Sequence, residues 1–130
     1  MLAIFVGSPF RSTSDNEYKR NVEYARSLCR VLCLHGHAVY APHLLIPQFM
    51  CDADDIERRM GMDVGKECLE RMDVAMFGTD LGTSDGMRAE MAYCSHKGIL
   101  YRCSTSEEWL STVLTLEREW KARSTITENL

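Results

Sequence analysis

The chain has no apolar run approaching the roughly 18 residues that a membrane-spanning helix needs. Its opening "MLAIFV" is too short for a secretion signal and has no basic segment in front of it. A cytoplasmic protein with no membrane partner is therefore expected. Basic residues are not in excess: 15 Lys and Arg against 19 Asp and Glu leave a net charge of −4. Proteins that follow a nucleic-acid backbone usually show a basic face, so no nucleic-acid polymer is expected as partner, although local arginines suffice for a single phosphate. Neither G-x-G-x-x-G nor a P-loop lysine motif occurs, which argues against dinucleotide binding and NTP cleavage. There is no C-x-x-C pair among Cys29, Cys33, Cys51, Cys68, Cys94 and Cys103. Cys29, Cys33 and His37 have helical spacing, but Gly36 ends that helix first and no fourth ligand is evident, so no metal is expected. Without a secretion signal the six cysteines are expected to be reduced thiols, mostly acting as small hydrophobes.

What is present fits one domain of 130 residues with a single core. No repeat, linker or low-complexity segment divides it. The apolar run 2–6, "LAIFV", reads as a buried strand, and the Gly, Pro, Ser and Asn content of 7–16 reads as a loop. Over 17–36, Val22, Ala25, Leu28, Cys29, Leu32 and Cys33 recur at helical spacing, and Gly36 is a stop. "HAVYA" (37–41) is a second strand, followed by an irregular apolar loop over 42–54. A second helix over 55–72 carries Ile56, Met60, Val64, Cys68, Leu69 and Met72 on one side. Gly61 and Gly65 weaken it and allow a ligand or another helix to come close. "DVAMFG" (73–78) is the third strand. Ser84 caps a third helix running to His96 or Lys97, "GILYRC" (98–103) is the fourth strand, and a capping-box pattern at Thr105 and Glu108 opens a last helix. The domain is expected to end near residue 123, with 124–130 a loose tail.

Strands alternating with helices predict an α/β fold: a single doubly wound domain, its central sheet mostly parallel with about four to five strands, helices on both faces. Ligands of such sheets bind beyond the carboxyl ends of the strands at the topological switch. Two loops fall there. "GSPFR" brings Gly7, Ser8, Pro9 and Arg11, the last a cation suited to a phosphate or carboxylate. "GTDLGTSDG" leads into a helix start, where Ser84, Gly86 and free amides can hold an oxygen-rich group, or where Ser84 is simply an N-cap. Glu90 follows in the second turn, beside an apolar stripe of Met87, Met91 and Cys94. It is either a solvated helix residue or a carboxylate turned toward the sheet for a purpose. Asp63, Glu67 and Asp80 are further acids within reach of a cleft, and His43, after Pro42, is either a pocket contact or a structural histidine.

Together "IFVGSPFR", "APHL", "ERMDVAMFG" and "TSDGMRAEMAYCSHKGI" resemble the nucleoside 2-deoxyribosyltransferase-like superfamily over about residues 2–102. The likeness is greatest to its small phage and bacterial branch, related to deoxynucleoside monophosphate N-glycosidases. It is strongest over 73–99, where S-x-G-M-x-x-E matches the family's loop-helix pattern. The resemblance implies cleavage or transfer of the N-glycosidic bond of a deoxynucleoside or its 5′-monophosphate, with no cofactor. It places the catalytic glutamate at Glu90. Ser84, Gly86 and Arg11 would hold a 5′-phosphate, and Asp63 or Asp80 would protonate the departing base. Gly7, Ser8, Arg11, Ser84, Gly86 and Glu90 would line one cleft, with Pro9, His43 and Met87 beside it. A nucleophilic carboxylate is ionised at neutral pH, and the helix start and nearby donors are expected to favour that form. The resemblance also implies a homo-oligomer, dimer or tetramer, whose neighbouring subunits help to close the pocket. One departure stands out: where those enzymes carry an aspartate ahead of the third strand, this chain has Gly65. The alternative is a non-catalytic protein that binds a nucleotide or nucleotide-derived signal on the same fold.

Overall fold

The strand-forming runs at 3–7 and 74–78 are short and apolar on both faces, as strands covered by helices on each side must be. The computed structural model describes residues 1–128, apart from the side chains at 124 and 126–128. β1 (Ala3–Gly7), β2 (Ala38–Tyr40), β3 (Val74–Gly78) and β4 (Tyr101–Ser104) form a four-stranded sheet in the order β2-β1-β3-β4, every pair parallel. The helices are α1 (Asp15–Leu34), α2 (Pro42–Leu45), α3 (Asp55–Glu70), α4 (Asp85–Lys97) and α5 (Trp109–Glu128), with a 3₁₀ turn at Ile46–Gln48. The expected α/β architecture is therefore present, with four strands. Of the tail expected over 124–130, residues 124–128 continue α5 and 129–130 lie outside the described residues.

Alternate residues of each strand feed two cores. Leu2, Ile4, Val6, Val74 and Met76 pack with Leu28 and Leu32 of α1 and with Trp109, Val113 and Leu116 of α5. Phe5, Ala75 and Phe77 pack with Leu69 of α3 and with Met87 and Cys94 of α4. Thus α1 and α5 cover one face, and α3 and α4 the other. No helix among the described residues is long and apolar enough to cross a membrane.

The helix ends follow local chemistry. Ser14 caps α1 by accepting from the Glu17 N–H, and Gly36 follows its end with φ of 84°. Asp54 caps α3 through the Ile56 and Glu57 amides. Ser84 caps α4 by accepting from the Met87 N–H, while the Ser84 N–H donates to Met87 Sδ. Thr105 Oγ1 accepts from the Glu108 N–H ahead of α5. Gly98, expected to open the fourth strand, instead closes α4 in the left-handed region, φ 72°, and β4 starts at Tyr101. The "irregular" 42–54 loop contains α2 and the 3₁₀ turn, because Pro42 and Pro47 each suit the first turn of a helix.

The outward side of α3 differs from expectation. Ile56, Met60 and Val64 are exposed (72%, 55% and 50%), while Gly61, Gly65 and Leu69 are buried. The side of the helix turned to its neighbours carries two glycines before Leu69 enters the core. Only two cysteines, Cys29 and Cys94, are buried; Cys33, Cys51 and Cys103 are exposed and Cys68 is half-buried, and all six are free thiols. Burial lifts the Cys29 and Cys94 thiols to about 11 and about 12.

Gly7 and Gly78 are there for close packing in extended backbone. A Cβ on Gly7 would stand 2.3 Å from Phe77 Cδ1, and one on Gly78 2.4 Å from Leu28 Cδ1. Overpacking of this kind costs about 1–3 kcal/mol. Gly7→Ala should lose that much in urea unfolding. Gly86→Ala, whose Cβ meets nothing nearer than Ser84 Oγ at 3.8 Å, should lose none.

Candidate functional site

The chain winds outward from β1 to β2 over one face, then returns past β1 to β3 and winds the other way. The loops after β1 and β3 therefore diverge, and a crevice opens between them. A cavity of about 350 Å³ occupies this place, near the lower end of volumes that hold small ligands, roughly 300–1,000 Å³. Phe10 and Arg11 come from the loop after β1; Pro42, His43, Ile46, Pro47 and Met50 from the segment after β2. Arg58, Gly61, Gly65 and Lys66 come from α3, and Ser84, Gly86, Ala89 and Glu90 from α4.

Of the residues singled out in the sequence, Arg11, His43, Ser84, Gly86 and Glu90 meet at this cavity. Gly61 and Gly65, expected to allow close approach, line it too, whereas the other expected site residues do not. Gly7 serves Phe77 packing, Ser8 is buried at the end of β1 and Pro9 is half-buried beside it. Met87 is fully buried beneath α4, where its sulfur accepts from the Ser84 N–H. Asp63 is exposed on α3, away from the lining side. Asp80 is a structural tie on the opposite face of the sheet. It accepts from the Tyr24 hydroxyl at 2.5 Å, from the Ser106 N–H at 2.8 Å and from the Ser106 hydroxyl at 3.0 Å. The Tyr24 bond, with the Ser106 bonds adding and burial opposing, holds its carboxyl below the usual range. Neither acid expected to protonate a leaving base reaches the cavity.

Glu90 is turned inward. No hydrogen bond reaches its carboxyl group among the described residues, and burial alone lifts it to about 7. This corrects the expectation that nearby donors would keep it ionised: the carboxyl is close to half protonated at neutral pH. Tyr40 lies close enough for the Glu90 charge to help raise its phenol, mainly a result of burial and of a hydrogen bond with Cys68. His43 is stacked on Phe10, with ring centres 4.8 Å apart and planes 7° from parallel. Burial lowers it to about 4, against an opposing pull from Asp52. The pair is a neutral, flat aromatic wall at physiological pH.

The contacts between α3 and α4 set the heights of the groups across the cavity. Both helices return from the carboxyl to the amino edge of a parallel sheet, so they run side by side in the same direction. The Tyr93 hydroxyl donates to Glu70, and Lys66 Nζ lies 5.7 Å from the Tyr93 ring centre. Lys97 Nζ pairs with Glu70 at 3.4 Å. Tyr93 is therefore level with the turn 66–70 of α3. One turn earlier on both helices, Glu90 is level with Gly65. One turn earlier again, Gly86 is level with Gly61, and Ser84 then faces the turn that holds Arg58.

Arg58 was missed in the sequence, as were Phe10 and Asp52. The signal was there for the first. Gly61 and Gly65 mark the close side of α3, and Arg58 precedes Gly61 by three residues on that same side.

A model described as "Domain of unknown function (DUF7768)" matches residues 2–104. No curated protein matches the chain. Among solved structures, a 2-deoxyribosyltransferase from the psychrotolerant bacterium Bacillus psychrosaccharolyticus resembles it with a TM-score of 0.55 at 19% identity, over 80% of this chain and 74% of that one. That protein is described as suited to industrial synthesis of antiviral and antitumoral nucleosides. The similarity establishes a shared fold.

The raised Glu90 carboxyl has a consequence for stability. Its folded value, about 7, exceeds the ordinary 4.5, so the folded state keeps a proton that the unfolded state has released. Stability from this group is complete below about 4.5 and is lost as pH rises through 7. Glu90→Gln mimics the protonated form. It should match the wild type at pH 4.5 and exceed it at pH 8 by up to about 3 kcal/mol. Urea unfolding at the two pH values measures the difference, and a pH-independent gap would contradict the burial of the carboxyl.

Proposed function

The chain belongs to the DUF7768 family, and we propose that it acts on the N-glycosidic bond of a deoxynucleoside or its 5′-monophosphate, by hydrolysis or deoxyribosyl transfer. The observation that carries this is Glu90: a carboxyl desolvated on the wall of a ligand-sized cavity, with Ser84, Gly86 and Arg11 on the same walls. The fold shared with a 2-deoxyribosyltransferase supports the same chemistry, as does the S-x-G-M-x-x-E pattern that ends at Glu90.

In this reading the ionised Glu90 attacks the anomeric carbon through an oxocarbenium-like state, and water or a second base resolves the glycosyl-enzyme. Arg11 and Ser84 hold the 5′-phosphate, and the Phe10–His43 wall offers a neutral flat surface to a ring. Asp52, on the cavity wall with no hydrogen-bond or ion-pair partner among the described residues, takes the acid's role in place of Asp63 and Asp80. The protein works as a homo-oligomer, for which the exposed Ile56, Met60 and Val64 of α3 offer an apolar contact face.

A second reading has its own observation. Gly65 is level with Glu90, so the wall opposite the carboxyl bears no acid at that height. A nucleotide-binding protein without turnover fits that wall.

Free base measured by chromatography after incubation with deoxynucleosides and their monophosphates separates the two. Turnover should rise with pH through about 7 as Glu90 ionises, and Glu90→Gln should bring it to background. Base release by Glu90→Gln at the wild-type rate would end the nucleophile assignment.

Gly65→Asp tests the second reading. A Cβ there meets only Pro42 Cβ, at 3.9 Å, so the side chain has room. The variant should gain base release, by about 10²-fold or more for a positioned acid. A wild type that binds nucleotides without turnover, with no gain in Gly65→Asp, would favour the binding protein.

A further inference from the structure

Two guanidinium groups line the cavity without a partner. Neither Arg11 nor Arg58 has a hydrogen bond or ion pair from its side chain among the described residues. Most of the other described arginine side chains are engaged: Arg20, Arg26, Arg71, Arg88 and Arg102 each have an acid partner. None of the cavity's own acids is paired with either guanidinium among the described residues. Glu57 accepts from the Cys51 N–H, Asp85 is paired with Arg88, and Asp52 makes no ion pair among those residues. Glu90 stands about two turns below, at the height of Gly65.

Arg58 comes from α3 and Arg11 from the loop after β1, while Ser84 is level with Arg58 across the cavity. All three line the same cavity, from three different elements. We propose that Arg58 is a second anion-binding residue, and that with Arg11 it selects a terminal phosphate monoester over a phosphate diester. This rests on the nucleotide reading above and goes beyond it. A monoester carries about two negative charges near neutral pH, which two guanidinium groups balance, and its free oxygens suit forked donors from two directions. A diester carries a single charge and has one oxygen blocked. It leaves one guanidinium uncompensated, and its second ester arm meets the Arg58 wall.

The test is calorimetric binding at fixed salt. The probes are deoxynucleoside 5′-monophosphates, the matching 3′,5′-cyclic monophosphates, the nucleosides and inorganic phosphate. The wild type should prefer the monoester to the cyclic diester by about tenfold or more. Arg58→Gln should remove most of that preference and leave nucleoside affinity unchanged. Arg58→Lys should restore part of it. Arg59→Gln, on the exposed side of the same turn, should change nothing, and unchanged melting temperatures show that the variants fold. Equal losses for monoester and nucleoside in Arg58→Gln, or no preference in the wild type, would overturn the assignment. Two outcomes separate it from the nucleotide reading. Phosphate binding that needs Arg58, with no nucleoside or nucleotide affinity, keeps the anion site and removes the nucleotide. Nucleoside binding with no phosphate affinity does the reverse.

Discussion

The reversal of winding between β1 and β3 is the constraint on which the site depends. Two parallel neighbours cannot both send their loops over the same face when one leads to α1 and the other to α4. The gap between those loops is geometric and would exist for any side chains. What this chain adds is the depth of the gap. Gly61 and Gly65 hold back the wall of α3, and the α2–3₁₀ segment closes over the side through Pro42, Ile46 and Pro47. The cavity is thus a shortage of side chains at a place where the topology already denies the backbone a neighbour.

That shortage explains the carboxyl group. Glu90 sits in the second turn of α4 facing the held-back part of α3, mostly buried and with no hydrogen-bond donor to its carboxyl group among the described residues. A carboxyl that burial raises to about 7 is poised in its protonation. Donors brought to the carboxyl by any bound molecule would pull the value down, because hydrogen bonds to the charged form favour it. Ionisation of this group would then be coupled to the arrival of donors.

Much of the fold was legible in the sequence because its signals are local. Apolar runs of four to six residues, Ser84 and Gly36 at helix ends, and strict alternation of element types each rest on neighbours in the chain. The inward turn of Glu90 was legible only through the pattern around it, since helical spacing alone also permits a solvated position. Other features depended on partners far along the chain. Asp80 reads as a loop acid, yet Tyr24 and Ser106, from α1 and from the loop before α5, hold it in place. Gly7 reads as a phosphate-loop glycine, yet the Phe77 ring is what excludes a Cβ there. No spacing rule carries either fact.

The clearest disagreement concerns α3, and it follows from one physical preference. A periodic apolar stripe normally faces the core, and Ile56, Met60 and Val64 form one. Turning that stripe inward would drive three large side chains into the space between α3 and α4, where Gly61 and Gly65 now stand. The cavity would be filled, and Glu90 would be covered by hydrocarbon with no room for a donor. The observed rotation keeps the cavity open at the cost of leaving those side chains in water. Each exposed side chain forgoes burial worth roughly 1.5–3 kcal/mol, a cost that contact with another apolar surface would offset. The helix thus presents two unlike surfaces at once: a side of few side chains toward the cavity, and an exposed apolar outer side.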